Sequence, residues 1–311
     1  MSQFKPSRAK VPPHYASRGI RHWSNTKIRC PLAYLIAEYS YRQPKYYAAK
    51  RASEGGGDPE ADLLVAHYDK PRSIQMLAGT AVHEAAFAVA NGKTSQSEAV
   101  KNAIGKLQLH RPAKYNTRDL TITDHLLSDA GERVSNTIEQ TVEGIREAFQ
   151  GANQIDVEEK IELELPGIDV PIIGYTDGRG AGVIGEVKTR WDRISANSKT
   201  GFSNNSVPAK PQPNDIAQIA LYQKAFGKII AGKARIIYAN RLSHIVHEVS
   251  QDQLDEAMAQ TLVQLRKRQR ILERTETLRD IIDLCEVDWS DFRWRDFSPE
   301  LLLELKQVFS E

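Results

Sequence analysis

Cysteine is scarce in this chain, which holds only Cys30 and Cys285 among its 311 residues. A disulfide framework needs several paired cysteines, and an iron–sulfur cluster is usually held by four thiolates. We therefore expect neither a disulfide-stabilised fold nor an iron–sulfur cluster. Few cysteines are typical of intracellular proteins, so we expect a cytoplasmic location.

Long apolar runs are missing as well. No run reaches the roughly 18 to 20 residues that a membrane span needs, and the amino terminus carries no apolar secretory region. A hydrophobic content of 41% and a charged content of 26% are ordinary for a soluble globular protein. The length allows one large domain or two small ones, and we expect no membrane partner.

Acidic residues are nearly absent from the first 51 positions, although the net charge of the whole chain is only +2. This segment holds eleven Lys or Arg and the single acid Glu38. Aromatic residues alternate with these cations, namely Trp23, Tyr34, Tyr39, Tyr41, Tyr46 and Tyr47. Cations beside aromatic rings are typical of a groove for single-stranded nucleic acid. A solubilising tail followed by a helix with core tyrosines explains the pattern equally well.

Composition also divides the chain. Residues 1–22 are basic, rich in proline and without pattern, and we expect a flexible tail there. Residues 23–311 are predicted to form a single domain. Two segments within it, near 51–62 and 191–213, are rich in small, polar and breaking residues and are predicted to be mobile insertions.

Hydrophobic periodicity predicts helices before and after a run of strands. Helices are expected over 79–92, 97–109, 124–149, 214–227 and 251–276 and from Ser298 onwards, and strands over 157–165, 172–188, 234–240 and 243–249. This order predicts an α/β fold with a mixed central sheet flanked by helices, a helical N-terminal region and C-terminal helices.

The segment Ile172–Lys188 (IIGYTDGRGAGVIGEVK) has the pattern of a β-hairpin. Two strand-like runs flank DGRGAG, whose glycines suit a tight turn. The period of two places Glu186 and Lys188 on one face of the second strand, and Asp177 closes the first strand. We therefore expect Asp177, Glu186 and Lys188 to converge.

Two adjacent carboxylates repel each other unless a cation lies between them, and oxygen ligands suit Mg²⁺ or Mn²⁺. A lysine beside such an ion can hold a water or a phosphate oxygen, which is the chemistry of metal-assisted phosphodiester hydrolysis. The alternative is a charged hairpin edge that discourages aggregation. Taken alone, the spacing of these residues is compatible with both.

Three further features bear on this choice. His83 lies on a predicted helix after Gly79-Thr80, and Gln218 and Tyr222 lie one helical turn apart. Glu159 is an acid among the apolar positions of the strand 157–165. Each has an ordinary alternative, since a lone histidine is often a packed core residue and a polar pair often edges a core helix.

Taken in order, the motifs Ser24…Cys30-Pro31, GTAVH, GYTD, GEVKT and QIALY resemble the PD-(D/E)xK nuclease superfamily. The resemblance is to the RecB-type exonuclease domain and its stand-alone relatives from phages and CRISPR systems. It runs from about Trp23 to Tyr238. Many relatives carry four cysteines around this domain for an iron–sulfur cluster, and this chain departs from them in having only Cys30 near that position.

The resemblance implies a restriction-endonuclease-like core and a role for each matching residue. Asp177 and Glu186 would be catalytic carboxylates and metal ligands, together with His83 and the carbonyl of Val187. Lys188 would be the catalytic lysine, and Gln218 and Tyr222 would organise the site and contact DNA. Glu159 would match an acid that the family often carries on the preceding strand.

The function implied is that of a divalent-metal-dependent DNA exonuclease acting in recombination, repair or replication, with Mg²⁺ or Mn²⁺ as cofactor. Its expected partners are single-stranded DNA or duplex ends, and proteins of recombination or replication. Two alternatives remain open. One is an endonuclease of the same fold that acts on specific sites or structures, and the other is a DNA-binding module without activity.

Overall fold

The computed structural model describes residues 11–54, 58–70, 72–226, 233–276, 278–284 and 287–310. The helices are α1 (Pro13–Ala16), α2 (Asn25–Arg29), α3 (Leu32–Ile36), α4 (Gln43–Glu54), α5 (Pro59–Tyr68), α6 (Ile74–Ala90), α7 (Gln96–Gln108), α8 (Thr117–Ser128), α9 (Ala130–Ala148), α10 (Pro213–Phe226), α11 (Gln251–Arg274), α12 (Leu278–Leu284) and α13 (Pro299–Ser310), with a π-helical segment at Ala37–Arg42 and a 3₁₀ helix at Phe292–Asp296. Within these ranges, no helix combines the length and the apolar character that crossing a membrane requires.

The strands are β1 (Asp156–Leu163), β2 (Ile172–Gly180), β3 (Val183–Thr189), β4 (Arg193–Ile194), β5 (Phe202–Ser203), β6 (Lys233–Ala239) and β7 (His244–Val249). Five of them form one sheet in the order β1-β2-β3-β6-β7, and β4 pairs with β5 separately. β2 and β7 run antiparallel to their neighbours β3 and β6, whereas β3 and β6 are parallel. The sheet is therefore mixed, and the predicted α/β fold with flanking helices is confirmed.

The chain folds into two compact units. Unit 1 comprises residues 1–71, 162–173 and 260–311, and unit 2 comprises residues 72–161 and 174–259. Each unit combines segments that are distant in sequence. The single domain predicted over 23–311 stays a prediction.

Unit 2 has an apolar core built by α6, α7, α8, α9 and the sheet. Val183 and Val187 of β3 belong to this core, while Glu186 lies between them in sequence on the same strand. The alternation of side chains along β3 thus agrees with the period of two predicted from the sequence. The other face carries Glu186 and Lys188 together with Ile184, which is also buried.

Unit 1 has a separate core that is rich in aromatic residues. Tyr34 packs edge-on against Trp294, with 5.3 Å between their ring centroids, and lies 5.5 Å from Phe297. Tyr41 and Tyr46 pack against the same core, and Tyr47 is exposed. Of the two explanations for the N-terminal tyrosines, the structure favours packing in a core for Tyr34, Tyr41 and Tyr46.

Residues 11–22 differ from the flexible tail that the sequence predicted over 1–22. Pro12 and Pro13 start the helix α1, and Tyr15 and Ile20 are fully buried. Proline content suggested disorder, whereas proline in the first turn of a helix is tolerated because its missing N–H would have no helical partner. The predicted tail residues 1–10 lie outside the described residues.

The two predicted insertions also contain regular structure. Near 51–62, α4 continues to Glu54 and α5 begins after Asp58, whose side chain accepts a hydrogen bond from the N–H of Glu60. Residues 55–57 lie outside the described residues. Within 191–213, β4 and β5 pair as a short antiparallel ladder. The composition predicted mobile insertions in these segments and did not reveal these short elements.

Two helix boundaries differ from the prediction. α6 begins five residues before Gly79, because Ser73 caps it by accepting a hydrogen bond from the N–H of Met76. The helix predicted over 124–149 is two helices, α8 and α9, separated at Asp129 by non-helical backbone angles (φ −143°, ψ 40°). The apolar periodicity continues across that break, and the pattern therefore could not show it.

Candidate active site

The hairpin formed by β2 and β3 has a turn of two residues. Ala181 and Gly182 both have positive φ values, 48° and 74°, as a two-residue hairpin turn requires. Gly180 pairs with Val183 directly before the turn. The prediction that Asp177 closes the first strand is therefore wrong, since β2 continues through Asp177 to Gly180.

Packing, rather than a turn, explains a glycine after Asp177. A Cβ at Gly178 would lie 2.7 Å from the ring of Phe87 and 3.0 Å from that of Phe149. Gly185, its partner on β3, meets Phe149 in the same way, with a Cβ distance of 2.5 Å. The two glycines let the phenylalanine rings lie against the backbone of the hairpin, on the strands that carry the acidic residues.

Asp177 is held by the neighbouring strand and approached by a helix. Its Oδ2 accepts a hydrogen bond of 2.7 Å from the N–H of Val187. Its Oδ1 lies 3.4 Å from Nε2 of His83 on α6. Burial would raise the pKa of Asp177, but His83, Lys188 and the Val187 N–H together lower it below its ordinary value. Asp177 is therefore an anion at neutral pH.

Glu186 has no solvent exposure. Its Oε1 contacts the ammonium of Lys188, while its Oε2 is buried and has no hydrogen-bond partner among the described residues. Burial and the neighbouring Asp177 charge raise the pKa of Glu186 to about 8, and Lys188 opposes this shift only in part. The carboxyl of Glu186 thus holds a proton at neutral pH unless a further cation is near.

Lys188 lies between Glu186 and the helix α10. Its Nζ donates to Oε1 of Gln218 at 3.2 Å, and Nε2 of Gln218 donates to the hydroxyl of Tyr222 at 2.7 Å. Burial alone would lower the pKa of Lys188, but Glu186 and Asp177 raise it above its ordinary value. The lysine is therefore a cation whose position is set by a carboxyl and an amide oxygen.

Tyr222 borders the site next to Gln218, with which it forms a hydrogen bond. It is buried, and burial and the charge of Glu186 raise the pKa of its hydroxyl. A Cβ at Gly174 would lie 2.9 Å from its ring, so the absence of a side chain on β2 makes room for it. The structure thus brings together His83, Asp177, Glu186, Val187, Lys188, Gln218 and Tyr222, all within unit 2.

Asp215 adjoins this set and was not predicted as a site residue. It lies one helical turn before Gln218 on α10, and its Oδ2 accepts a hydrogen bond of 2.5 Å from the hydroxyl of Tyr238. Its charge raises the pKa of both Glu186 and Lys188. In the sequence, Asp215 stands at the start of the helix predicted over 214–227, where an acid suits a helix cap, and its i, i+3 spacing from Gln218 also places it on the site face.

Glu159 is placed elsewhere. Its carboxylate accepts a hydrogen bond of 2.7 Å from Nε of Arg179, whose Nη2 also donates to Asp156 at 3.1 Å. The neighbouring Glu158 has a positive φ of 54°, and burial still alternates along β1, with Glu159 on the more buried face. Glu159 on β1 therefore forms an ion pair with Arg179 of the hairpin, and the described contacts link it to none of the other predicted site residues.

The donor atoms of the site suit a divalent cation. Among the described residues, Glu186 Oε2 is buried and accepts no hydrogen bond, and Nε2 of His83 is buried with Oδ1 of Asp177 3.4 Å away. Carboxylates are ligands that Mg²⁺ and Mn²⁺ accept, and a histidine imidazole can add a nitrogen ligand. Among the described residues, one group of three His, Cys, Asp or Glu side chains has its ligand atoms within 4.8 Å of one another. That group is His14, Asp169 and Glu273 in unit 1, and it is not the candidate active site.

Comparisons with known proteins give little beyond this geometry. No family model matches the sequence, and no curated protein is detectably similar to it in sequence. A solved structure of a candidate exonuclease from Eubacterium rectale is 13% identical, covers 94% of this chain and 91% of its own, and aligns with a TM-score of 0.39. A structure of the protein SSO0001 is 15% identical, covers 55% of this chain and 87% of its own, and has a TM-score of 0.24.

Proposed function

We propose that this protein is a divalent-metal-dependent deoxyribonuclease of the PD-(D/E)xK type, which removes nucleotides from DNA ends. The observation that carries the proposal is the buried Glu186 carboxyl, with Lys188 on one oxygen and no partner on the other. Burial of a carboxyl against a second carboxylate is costly. Such an arrangement is retained where its chemistry is used.

Each residue of the site has a role in this reaction. His83, Asp177 and Glu186 would hold Mg²⁺ or Mn²⁺, with the Val187 carbonyl as a further oxygen ligand. The bound ion would polarise a phosphoryl oxygen and lower the pKa of an attacking water. Glu186 would release its proton when the ion binds, because the ion supplies the positive charge that its environment lacks.

Lys188 would act on the transition state. Its ammonium, fixed between Glu186 and Gln218, would stabilise the negative charge that grows on the phosphate as the water attacks. Gln218 and Tyr222 would hold Lys188 in place through their mutual hydrogen bond and would border the bound strand. Since these donors are already oriented, little reorganisation is needed during the reaction.

Digestion of end-labelled DNA tests the proposal. Linear single-stranded and duplex DNA, labelled at the 5′ or the 3′ end, would be incubated with Mg²⁺ or Mn²⁺ and, in parallel, with EDTA. We expect release of mononucleotides or short products only with metal. Undiminished cleavage in excess EDTA, or no cleavage of any substrate with either metal, would contradict the proposal.

Closed circular DNA distinguishes the kind of nuclease. An exonuclease needs an end and leaves covalently closed circles intact, whereas an endonuclease of the same fold linearises them. Binding of DNA without cleavage of linear or circular substrate would instead indicate a DNA-binding module.

A further inference from the structure

The second half of α11 carries a row of cations outside the candidate active site. A groove of about 670 Å³ in unit 1 is lined by this helix and by the end of α12, and its residues are Val263, Arg266, Lys267, Arg270, Ile271, Arg274 and Leu284. We call the four cations among them the α11 basic strip. Arg266, Lys267, Arg270 and Arg274 are all at least partly exposed to solvent.

The spacing of the strip places all four side chains on one face of the helix. Residue 270 lies four positions after 266 and three after 267, and residue 274 lies four positions after 270. At about 1.5 Å of rise per residue, the strip extends for about 12 Å along the helix axis. The described residues that line the groove include no acidic side chain.

The other cation of this segment is used differently. Arg268 points to another face, where its guanidinium donates to the carbonyl oxygens of Lys27 at 3.3 Å and Cys30 at 2.5 Å. Among the described residues, none of the four cations of the strip forms an ion pair or a side-chain hydrogen bond. Arg268 thus has a structural role, whereas no contact among the described residues gives the strip such a role.

A row of unpaired like charges is unfavourable for the helix itself. Arg266 with Arg270, and Arg270 with Arg274, are like-charge pairs at i, i+4, and such pairs destabilise a helix. An anionic ligand that lies along the strip would remove this repulsion. The strip therefore fits an extended polyanion better than a single small anion.

We propose that the α11 basic strip binds the sugar–phosphate backbone of duplex DNA without regard to sequence. Duplex DNA carries one negative charge per roughly 1.7 Å of axis, so a strip of this length faces several phosphates. Arginine and lysine are the residues that contact phosphates in this way. The described residues that line the groove are cations and aliphatic residues, which favours contact with the backbone over a single-stranded stacking site.

An acidic protein segment is the competing ligand. Such a segment would bind mainly by burying an apolar stripe. Three of the described lining residues are apolar, and two of these, Val263 and Leu284, are largely exposed and come from different helices. The cations dominate the face, and charge complementarity therefore favours the phosphate backbone.

The proposal rests on the proposed function in one respect, that DNA is the substrate. The salt dependence of DNA binding tests it. The variant R266Q/K267Q/R270Q/R274Q would be compared with the wild type for binding a blunt duplex in EDTA at 50 to 250 mM salt, where no cleavage occurs. Because the variant lacks four cations that each neutralise a phosphate, we expect the slope of log K against log salt to become shallower by about 3 to 4. Affinity near 100 mM salt should fall at least about tenfold.

The matched control removes the same charge elsewhere. Lys93, Lys101, Lys114 and Arg118 of unit 2 are exposed, and K93Q/K101Q/K114Q/R118Q also lowers the net charge by four. This variant should keep the wild-type slope to within about one unit. Equal loss in the two variants, or an unchanged slope in the α11 variant, would overturn the proposal.

Two further arms separate the remaining outcomes. Polyglutamate that competes as well as duplex DNA at equal charge concentration would assign the strip to an acidic protein segment and overturn the DNA proposal. If DNA binding depends on the strip but the protein cleaves no substrate with Mg²⁺ or Mn²⁺, the proposed nuclease function would be refuted. The proposal that the strip binds DNA would still hold. Thermal melting of both variants checks that the substitutions leave the fold intact.

Discussion

Nε2 of His83 lies 3.4 Å from Oδ1 of Asp177, although the two residues come from α6 and β2. The imidazole also packs edge-on against Phe87, with 4.8 Å between the ring centroids. Phe87 in turn lies where Gly178 leaves room for it. The position of His83 is thus set by the packing of α6 on the hairpin.

We expect His83→Ala to weaken metal affinity and cleavage together, because it removes one nitrogen ligand and leaves the carboxylates in place. A loss of about 10- to 100-fold is expected, with partial recovery at high Mn²⁺. Metal titration by calorimetry and cleavage rates at several Mn²⁺ concentrations measure the two effects.

His244→Ala is the matched control, since His244 contacts Gln140 and Glu147 and none of the site residues. It should leave metal affinity unchanged. A His83→Ala enzyme with wild-type metal affinity would show that the histidine is only a packed residue.

Lys188→Ala should reduce cleavage by about 10²- to 10³-fold while DNA binding stays near that of the wild type. The lysine is not a proposed ligand, so its loss affects the transition state more than the ground state. Single-turnover rates and binding in EDTA separate the two. Lys233→Ala, on the exposed start of β6, should change neither quantity, and near wild-type turnover of Lys188→Ala would leave the lysine as an edge charge.

The pattern of β3 could be predicted because a strand alternates between two faces with little freedom. Val183 and Val187 had to face the core, so Glu186 and Lys188 had to face away from it. The same reasoning located His83 and the pair Gln218 and Tyr222 on helices, but it could not measure how near they come to the hairpin. That depends on packing between elements distant in sequence.

Other features of the site depend on tertiary packing that leaves no local pattern. Gly178 resembles a turn residue in sequence, and only the Phe87 ring shows why it lies within a strand. Asp215 resembles a cap, and only the hydroxyl of Tyr238 shows that it belongs beside the site. The division into two units also could not be predicted from local sequence patterns, because each unit combines segments that are distant in sequence.

Asp215→Asn should lower the pKa of Glu186, because the Asp215 charge is one of the groups that raise it. The acid limb of the pH–rate profile should then move to lower pH, and fewer protons should be released when metal binds at pH 7. Tyr238→Phe is the matched control, since it removes the hydrogen bond to Asp215 and keeps its charge. An unmoved acid limb in Asp215→Asn would exclude Asp215 from the electrostatics of the site.

Gly178→Ala should destabilise the protein by about 1 to 3 kcal/mol, because the added Cβ would overlap the rings of Phe87 and Phe149. Denaturant unfolding measures the change. Gly105→Ala on α7 has nothing within 4 Å of its added Cβ and should instead stabilise by about 0.5 to 1 kcal/mol. If the two substitutions had the same sign, the close approach at Gly178 would not govern its identity.

The last prediction concerns the pH dependence of stability in the metal-free protein. The pKa of Glu186 is about 8 in the folded state, against an ordinary value of 4.5. Below pH 4.5 the carboxyl is neutral in both states. Between these values the unfolded state loses its proton first, so the contribution of Glu186 to stability declines as pH rises towards 8.

Glutamine keeps the shape of the neutral carboxyl and does not ionise, so Glu186→Gln should escape this decline. In EDTA, its melting temperature should match that of the wild type near pH 4.5 and exceed it by at least about 2 °C near pH 8. Glu248→Gln, at an exposed position on β7, should show no such divergence with rising pH. Because Mg²⁺ or Mn²⁺ would favour the ionised Glu186, adding either metal should raise the melting temperature of the wild type more than that of Glu186→Gln. Parallel melting curves of wild type and Glu186→Gln across this pH range would mean that Glu186 ionises normally in its buried position, and the need for a cation beside it would disappear.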